Sequence, residues 1–302
     1  MKSVIKTSLV LFSILIFSYV TLYANSDKNP QRIVSLSPNV TEIIYGLGAW
    51  DKIVGVTMYS DFPPEADAVP KVGGWVNPNL EAIVRLKPDL VIFMTDQDSI
   101  FGDNIRKLGL NTLAVDSNKS IKDIQNSILQ LGKVLQKEQE AENLSNKINS
   151  NFEEISSKTS EVPKKRVLFV VGRNPGTLED IYVIGRDNYI NELINLAGGE
   201  NVVKSNRFAL KIAKDAILSF DPQVIIETTY DKTENKGSTI KTWGGLKEIS
   251  AVKNNEVHVV SSSELLRPSQ RIIEGAYILA HILHPEVFER YHGATKAQRH
   301  KE

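Results

Sequence analysis

Two stretches of the chain carry an acid at the same place. LEAIVRLKPDLVIF (80–93) and KDAILSFDPQVIIE (214–227) align without a gap. Ala82-Ile83 matches Ala216-Ile217, Pro88 matches Pro222, and Leu90-Val91-Ile92 matches Val224-Ile225-Ile226. Glu81 falls on Asp215. Each carboxylate opens a short helix, where the helix dipole favours an anion by about 0.3–1 kcal/mol. That effect alone explains either acid. Their recurrence also fits a role shared by two matching bodies. Asp215 lacks a good cap before it, since Ala213 and Lys214 precede, so capping of its own helix is a further reading.

Other residue types that do chemistry are scarce. The chain has no cysteine, which removes a thiol nucleophile and any disulfide. No Gly-x-Ser-x-Gly elbow occurs, and VVGRNPG (170–176) lacks the Gly-x-Gly-x-x-Gly spacing of a dinucleotide loop. All five histidines lie at or beyond His258. A metal site shared between two halves needs imidazole or carboxylate ligands from both, so no metal site is assigned. His281 and His284 share a helical face, as expected of a terminal amphipathic helix. An exported enzyme is the distant alternative; the reading is that the chain is not an enzyme.

The elements around the acids follow an alternating pattern. Strands are expected at 33–36, 52–57, 90–94 and 111–115, with helices at 41–48, 80–86, 99–108 and 120–135. The apolar run LVIFM (90–94) has the character of a buried parallel strand. Residues 137–160 are polar with one thin stripe, Ala141, Leu144, Ile148, Phe152 and Ile155. A helix with one narrow apolar face suits a connector lying against two bodies. The pattern then restarts, with strands at 166–172, 223–227 and 256–260 and helices at 214–220, 240–249 and 269–282, and NYINELINLAGGENVV (188–203) resembles the earlier TEIIYGLGAWDKIV. Glu192 falls where Glu42 did, and Gly198 where Gly48 did. The predicted fold is α/β, two Rossmann-like lobes with parallel sheets joined by one long rigid helix. The expected boundaries are 31–136 for the first lobe, 137–162 for the connector, 163–290 for the second lobe and 291–302 for a flexible tail. Two facing α/β lobes make a cleft at the carboxyl ends of their strands. Trp50 and Trp243 read as structural.

The first 24 residues have the layout of a secretory signal peptide. Lys2 and Lys6 precede an apolar run from Leu9 to Val20, and Ala24 offers a cleavage site. The run is short for a membrane span of roughly 20 residues; an uncleaved anchor is the alternative. Without cysteine no diacylated terminus is expected. Equal counts of 36 basic and 36 acidic residues give no basic footprint for nucleic acid. Hydrophobic content of 41% in 302 residues is enough for a globular core. The expectation is a soluble, exported, periplasmic monomer without lipid.

RIVSLSPNVTEIIYGLG, YSDFPPE, VGGWVNPNLEAIVRLKPDLVI and ELINLAGGENV together resemble the periplasmic substrate-binding proteins of ABC importers for cobalamin, iron-siderophores and haem. The resemblance covers about 31–285 and is greatest with the cobalamin-binding branch, through SLSPNVTE, YSDFPP and the Trp75–Glu81 segment. It implies capture of a bulky metal chelate, a cobalt corrinoid or an iron chelate, with no resident cofactor. It also implies delivery to a dimeric ABC permease in the inner membrane. By the same resemblance, Glu81 and Asp215 match the acids that meet permease arginines, and such pairs fix docking register.

Tyr59 and Trp75 match aromatic ligand contacts of the family, and their loop, YSDFPPEADAVPKVGGWVNPN, has the Pro and Gly content of a surface segment. Asn39 is a further ligand candidate through SLSPNVTE. In the second lobe the candidates are Asn174 after the first strand, Phe208 before the acid-bearing helix, and Arg267 in ELLRPSQR. By the resemblance Arg267 matches a position that hydrogen-bonds ligand amides or acids; a solvated loop arginine is the alternative. Met94 stands where relatives place an aromatic; its thioether can pack on a flat ring.

Overall fold

The computed structural model describes residues 29–117, 119–229 and 236–288. The expected leader (1–24) and tail (291–302) lie outside the described residues.

The first sheet has order β2-β1-β3-β4 and all its pairings are parallel. Its strands are β1 (Ile33–Ser35), β2 (Ile53–Val56), β3 (Leu90–Met94) and β4 (Thr112–Val115). From β1 the chain passes through helix α1 (Pro38–Gly46) to β2 on one side, and β3 lies on the other. The strand order therefore reverses between β1 and β3, the place where open α/β sheets bind ligands. Pro38 at the first turn suits the start of α1, and Gly48, at φ +69°, follows its end. Helix α2 (Leu80–Arg85) is capped by Asn79, whose side chain accepts from Ala82 N at 3.0 Å. The helical segment after β3 begins at Thr95, earlier than the expected 99, and continues through a π turn to Lys107. Helix α3 (Ile121–Leu135) opens with a Ser120–Asp123 capping box.

Helix α4 (Glu138–Thr159) buries Ala141, Ile148, Phe152 and Ile155, members of the stripe read from sequence. These side chains belong to one apolar core that also contains Ile33 and Ile92 of the first sheet and Phe169 and Ile226 of the second. The connector is thus packed into a core continuous from lobe to lobe. Gln125 of α3 donates to Asn149 at 2.8 Å on one side, and Tyr277 donates to Glu154 at 2.8 Å on the other.

The second sheet has order β10-β9-β5-β6-β8, with β7 (Gly199–Asn201) beside β5. Strands β5 (Lys165–Gly172), β9 (Val224–Thr229) and β10 (Val257–Ser261) are parallel, as expected. Strands β6 (Ile181–Ile184) and β8 (Ala209–Ile212) add an antiparallel edge that the sequence reading did not include. Residues 188–203, likened to TEIIYGLGAWDKIV, form α5 (Tyr189–Leu196) and then β7, with Gly198 at φ +78° making the turn. Helix α6 (Lys214–Phe220) precedes β9. The helix expected at 240–249 is α7 (Lys236–Trp243); Gly244-Gly245 ends it, as glycine does beyond a helix C-terminus. Helix α8 (Ile272–Leu283) closes the described chain.

The internal repeat extends to the backbone. Lys87 and Asp221, each before a proline, have φ of +48° and +39°. Arg32 donates to the carbonyl of Lys87, and Arg166 to the carbonyl of Asp221. Ile83 and Ile217, two residues after the acids, are both fully buried.

Candidate functional site

The turn that leaves β1 is built from small polar groups. Thr41 Oγ1 donates to Ser35 Oγ at 2.9 Å, and Ser37 Oγ donates to Asn39 Oδ1. Asn39 is buried; its amide nitrogen lies 3.4 Å from Met94 Sδ and 3.5 Å from the Pro268 carbonyl. It sits where the ends of β1 and β3 meet a segment of the second lobe.

The adjacent loop, 57–79, is fixed at several points. Thr57 and Ser60 share a 2.9 Å bond, and Lys71 Nζ donates to the carbonyls of Ser60 and Ala66. Gly73, at φ +100°, lets Met58 N reach its carbonyl at 3.0 Å. Gln97 is fully buried and joins three elements. Its amide donates to Trp75 O at 2.7 Å and Leu36 O at 2.9 Å, and its carbonyl accepts from Met94 N at 2.8 Å. Trp75 is half-buried, whereas Tyr59 is 55% exposed. A Cβ added to Gly74 would lie 3.6 Å from Tyr59 Cε2, so this ring stands beside the Trp75 segment. The loop thus fixes the backbone that carries two aromatic residues, one half-buried and one exposed, and rigid aromatic surfaces recognise a flat or bulky apolar ligand at little entropic cost.

Arg267 crosses from the second lobe. Its guanidinium donates to Asp61, to Glu42 at 3.3 Å and to the Tyr59 carbonyl at 3.0 Å. Sequence reading offered Arg267 to the ligand; here protein acceptors engage it. Glu42, on α1, is the hub it missed. This carboxylate has no exposed surface and also accepts from Ser269 Oγ and from Arg271 Nη1 at 3.3 Å. Gln270 donates to the Glu42 carbonyl at 2.8 Å. Burial pushes the Glu42 carboxyl above its usual range, opposed by Arg271, Ser269 and Arg267. An acid on the otherwise apolar helix VTEII was the available signal.

The remaining second-lobe candidates stand apart. Asn174 is exposed and donates to Asp180 at 3.3 Å within its own turn. Phe208 is 50% exposed at the start of β8. Among the described residues neither makes a hydrogen bond or ring contact with Tyr59 or Trp75. Behind Asn174, Arg173 and Glu227 form a buried ion pair at 3.0 Å, and Trp243 Nε1 donates to Glu227 at 2.7 Å. Trp243 is fully buried.

Glu81 and Asp215 occupy the second position of α2 and α6, and both are exposed. The N-cap of α6 is Ala213 with no side-chain cap bond, so Asp215 does not cap its own helix.

A cavity of about 790 Å³ lies between the end of α1, Phe62, α4 and α8. It contains none of the six residues predicted to hold a ligand, and within its lining Glu154 pairs with Lys158 and Arg271 with Glu274. Among the described residues no group of three or more His, Asp or Glu gathers as a metal site, and no helix is long and apolar enough to cross a membrane.

Comparison with known proteins places this architecture. The family described as periplasmic binding protein matches residues 33–263. The ABC transporter substrate-binding lipoprotein YvrC of Bacillus subtilis (strain 168) is 33% identical over 268 residues, 87% of this chain and 82% of the relative. The vitamin B12-binding protein of Salmonella choleraesuis (strain SC-B67) is 29% identical over 257 residues, 83% of this chain and 90% of the relative. The crystal structure of a possible iron-binding (periplasmic solute-binding) protein from Staphylococcus epidermidis superposes with a TM-score of 0.73 at 27% identity, covering 84% of this chain and 99% of that one. The chain belongs to the periplasmic binding protein family and is a substrate-binding protein of an ABC importer.

Proposed function

We propose that the protein captures one corrinoid, such as cobalamin, between its lobes and delivers it to a dimeric ABC permease. Tyr59 and Trp75, on one loop pinned by Gln97, carry this reading. A corrin is broad and partly apolar, and rigid aromatic surfaces suit it. Asn39 provides an amide at the strand switch point, while Asn174 and Phe208 meet the ligand from the second lobe. Arg267 acts at the junction through its hold on Tyr59. The similarity to vitamin B12-binding proteins supports a corrinoid. An iron-siderophore or haem is the second reading, favoured by the iron-binding relative and by Met94 in place of an aromatic.

In this proposal Glu81 and Asp215 are the docking acids, the chain acts as an unlipidated monomer outside the cytoplasm, and no reaction is catalysed. The core shared through α4 keeps lobe motion small, so release follows from the permease prying the lobes apart. Isothermal titration of the mature protein against cobalamin, cobinamide, haem and ferric siderophores decides the ligand. Tight binding of cobalamin alone is the expected result; preference for haem or a siderophore replaces the corrinoid reading. Glu81→Ala with Asp215→Ala should abolish uptake and leave ligand affinity unchanged. Loss of affinity instead would place the acids in the pocket.

A further inference from the structure

The repeat that carries the acids carries something else. Val84 lies three residues after Glu81, and Leu218 three residues after Asp215. In a helix residues i and i+3 are neighbours on one face. Val84 is 43% exposed and Leu218 is 40% exposed. Between them and the acids sit the buried anchors Ile83 and Ile217, which root each helix so that the acid and the aliphatic group both face outward. Neither Glu81 nor Asp215 has a side-chain hydrogen bond or ion pair among the described residues. The same two-part face, one free anion beside one bare aliphatic side chain, is thus built twice.

We propose that Val84 and Leu218 are apolar seats of the docking surface, each inserting into a depression beside a cationic group on one half of a two-fold symmetric membrane permease. The inference rests on the docking role given above to Glu81 and Asp215 and extends it to the partner's chemistry. Scattered surface aliphatics need no explanation, but a pair at matching places in a repeat, each beside an unpaired anion, calls for a partner with two equivalent seats. An isologous permease dimer offers two. The division of labour follows from the physics. The carboxylates attract over about a Debye length and weaken with salt, whereas apolar burial does not. The acids steer and the aliphatic groups hold.

The two seats are not identical. Leu80 precedes Glu81, whereas Lys214 precedes Asp215. A cation next to Asp215 reduces the net negative potential there, and Leu218, with one more methylene than Val84, carries more of the contact on that side.

The test measures docking of the full mature protein to the importer permease and its ATPase in lipid nanodiscs, from about 0.05 to 0.5 M salt. Val84→Ser with Leu218→Ser should weaken docking about tenfold or more at every salt concentration. Val84→Thr with Leu218→Asn repeats the loss with volume kept, and unchanged thermal midpoints show that both variants fold. Glu81→Gln with Asp215→Asn should weaken docking strongly at low salt and little at high salt. Wild-type docking by both apolar variants overturns the seats and leaves the acid reading standing. Wild-type docking by the acid variant, with the apolar variants impaired, overturns the acid reading and leaves the seats.

Discussion

Glu42 and Glu192 hold matching positions on α1 and α5, and each reaches across to the start of a helix in the opposite lobe. Glu42 accepts from Ser269 and Arg271 just before α8. Glu192 accepts from Ile121 N, the first residue of α3, at 3.1 Å. The two halves of the chain are therefore cross-braced by one repeated carboxylate. Glu192 meets a free N–H at a helix N-terminus, whereas Glu42 is held by side chains alone. The braces differ in depth: Glu42 is fully buried among two arginines, whereas Glu192 is half-buried with one backbone partner.

That difference predicts unequal costs. Glu42→Ala leaves Arg267 with Asp61 and Arg271 with Glu274, so the arginines are not stranded, but the hub is lost. The expected destabilisation is about 2–4 kcal/mol in urea unfolding. Glu192→Ala should cost about 0.5–1.5 kcal/mol, one hydrogen bond's worth. Equal costs would show that the cross-lobe arginines contribute nothing.

The pH dependence has a definite sign. Burial raises the Glu42 carboxyl above its ordinary value of 4.5 and raises Glu192 likewise. A carboxyl with a raised folded-state pKa contributes stability that is fully present below the ordinary value and is lost as pH rises through the raised one. Glu42→Gln does not titrate. The stability gap between wild type and Glu42→Gln should therefore be largest in acid and shrink as pH rises past 4.5. Urea unfolding of both proteins across that range checks it. A gap that grows with pH would mean that the arginines outweigh desolvation.

Gly46 faces the same junction. A Cβ there would come within 2.7 Å of Gln270 Nε2, the atom that donates to the Glu42 carbonyl. Gly46→Ala should displace Gln270 and lower stability by about 1 kcal/mol, although alanine is the better helix former. Calorimetric melting reads this directly. An increase in melting temperature would show that Gln270 moves aside without loss.

Trp75 offers an optical test of the cleft. Trp243 is fully buried in the second lobe and Trp50 packs edge-on against Tyr45 with centroids 6.0 Å apart. A coloured macrocycle bound between the lobes should quench Trp75 most, and Trp75→Phe should remove most of the change. Tyr59→Ala and Trp75→Ala should each weaken binding by roughly tenfold, about 1.4 kcal/mol. Undiminished quenching in Trp75→Phe would move the ligand elsewhere.

The cleft proposal and the braces were legible in the sequence to different degrees. The aligned units 80–93 and 214–227 reveal the repeat because helix–strand periodicity and proline placement are local properties. The stripe from Ala141 to Ile155 reveals the connector for the same reason. The edge strands β6 and β8 escaped because short strands flanked by glycine and polar turns carry little periodicity, and their pairing is a contact between distant residues. The Gly244-Gly245 helix stop is a local signal, readable in the sequence.

The sequence alone determined which groups recur: Glu81 with Asp215, Glu42 with Glu192, Pro88 with Pro222. It also determined the alternating α/β order, since side-chain period and turn chemistry act over a few residues. Only the tertiary structure decided what each recurring acid meets. Glu81 and Asp215 face solvent, while Glu42 is enclosed by Arg267 and Arg271, more than two hundred residues away in the chain. A carboxylate's partner and burial depend on which distant segments pack against it, and no local pattern encodes that.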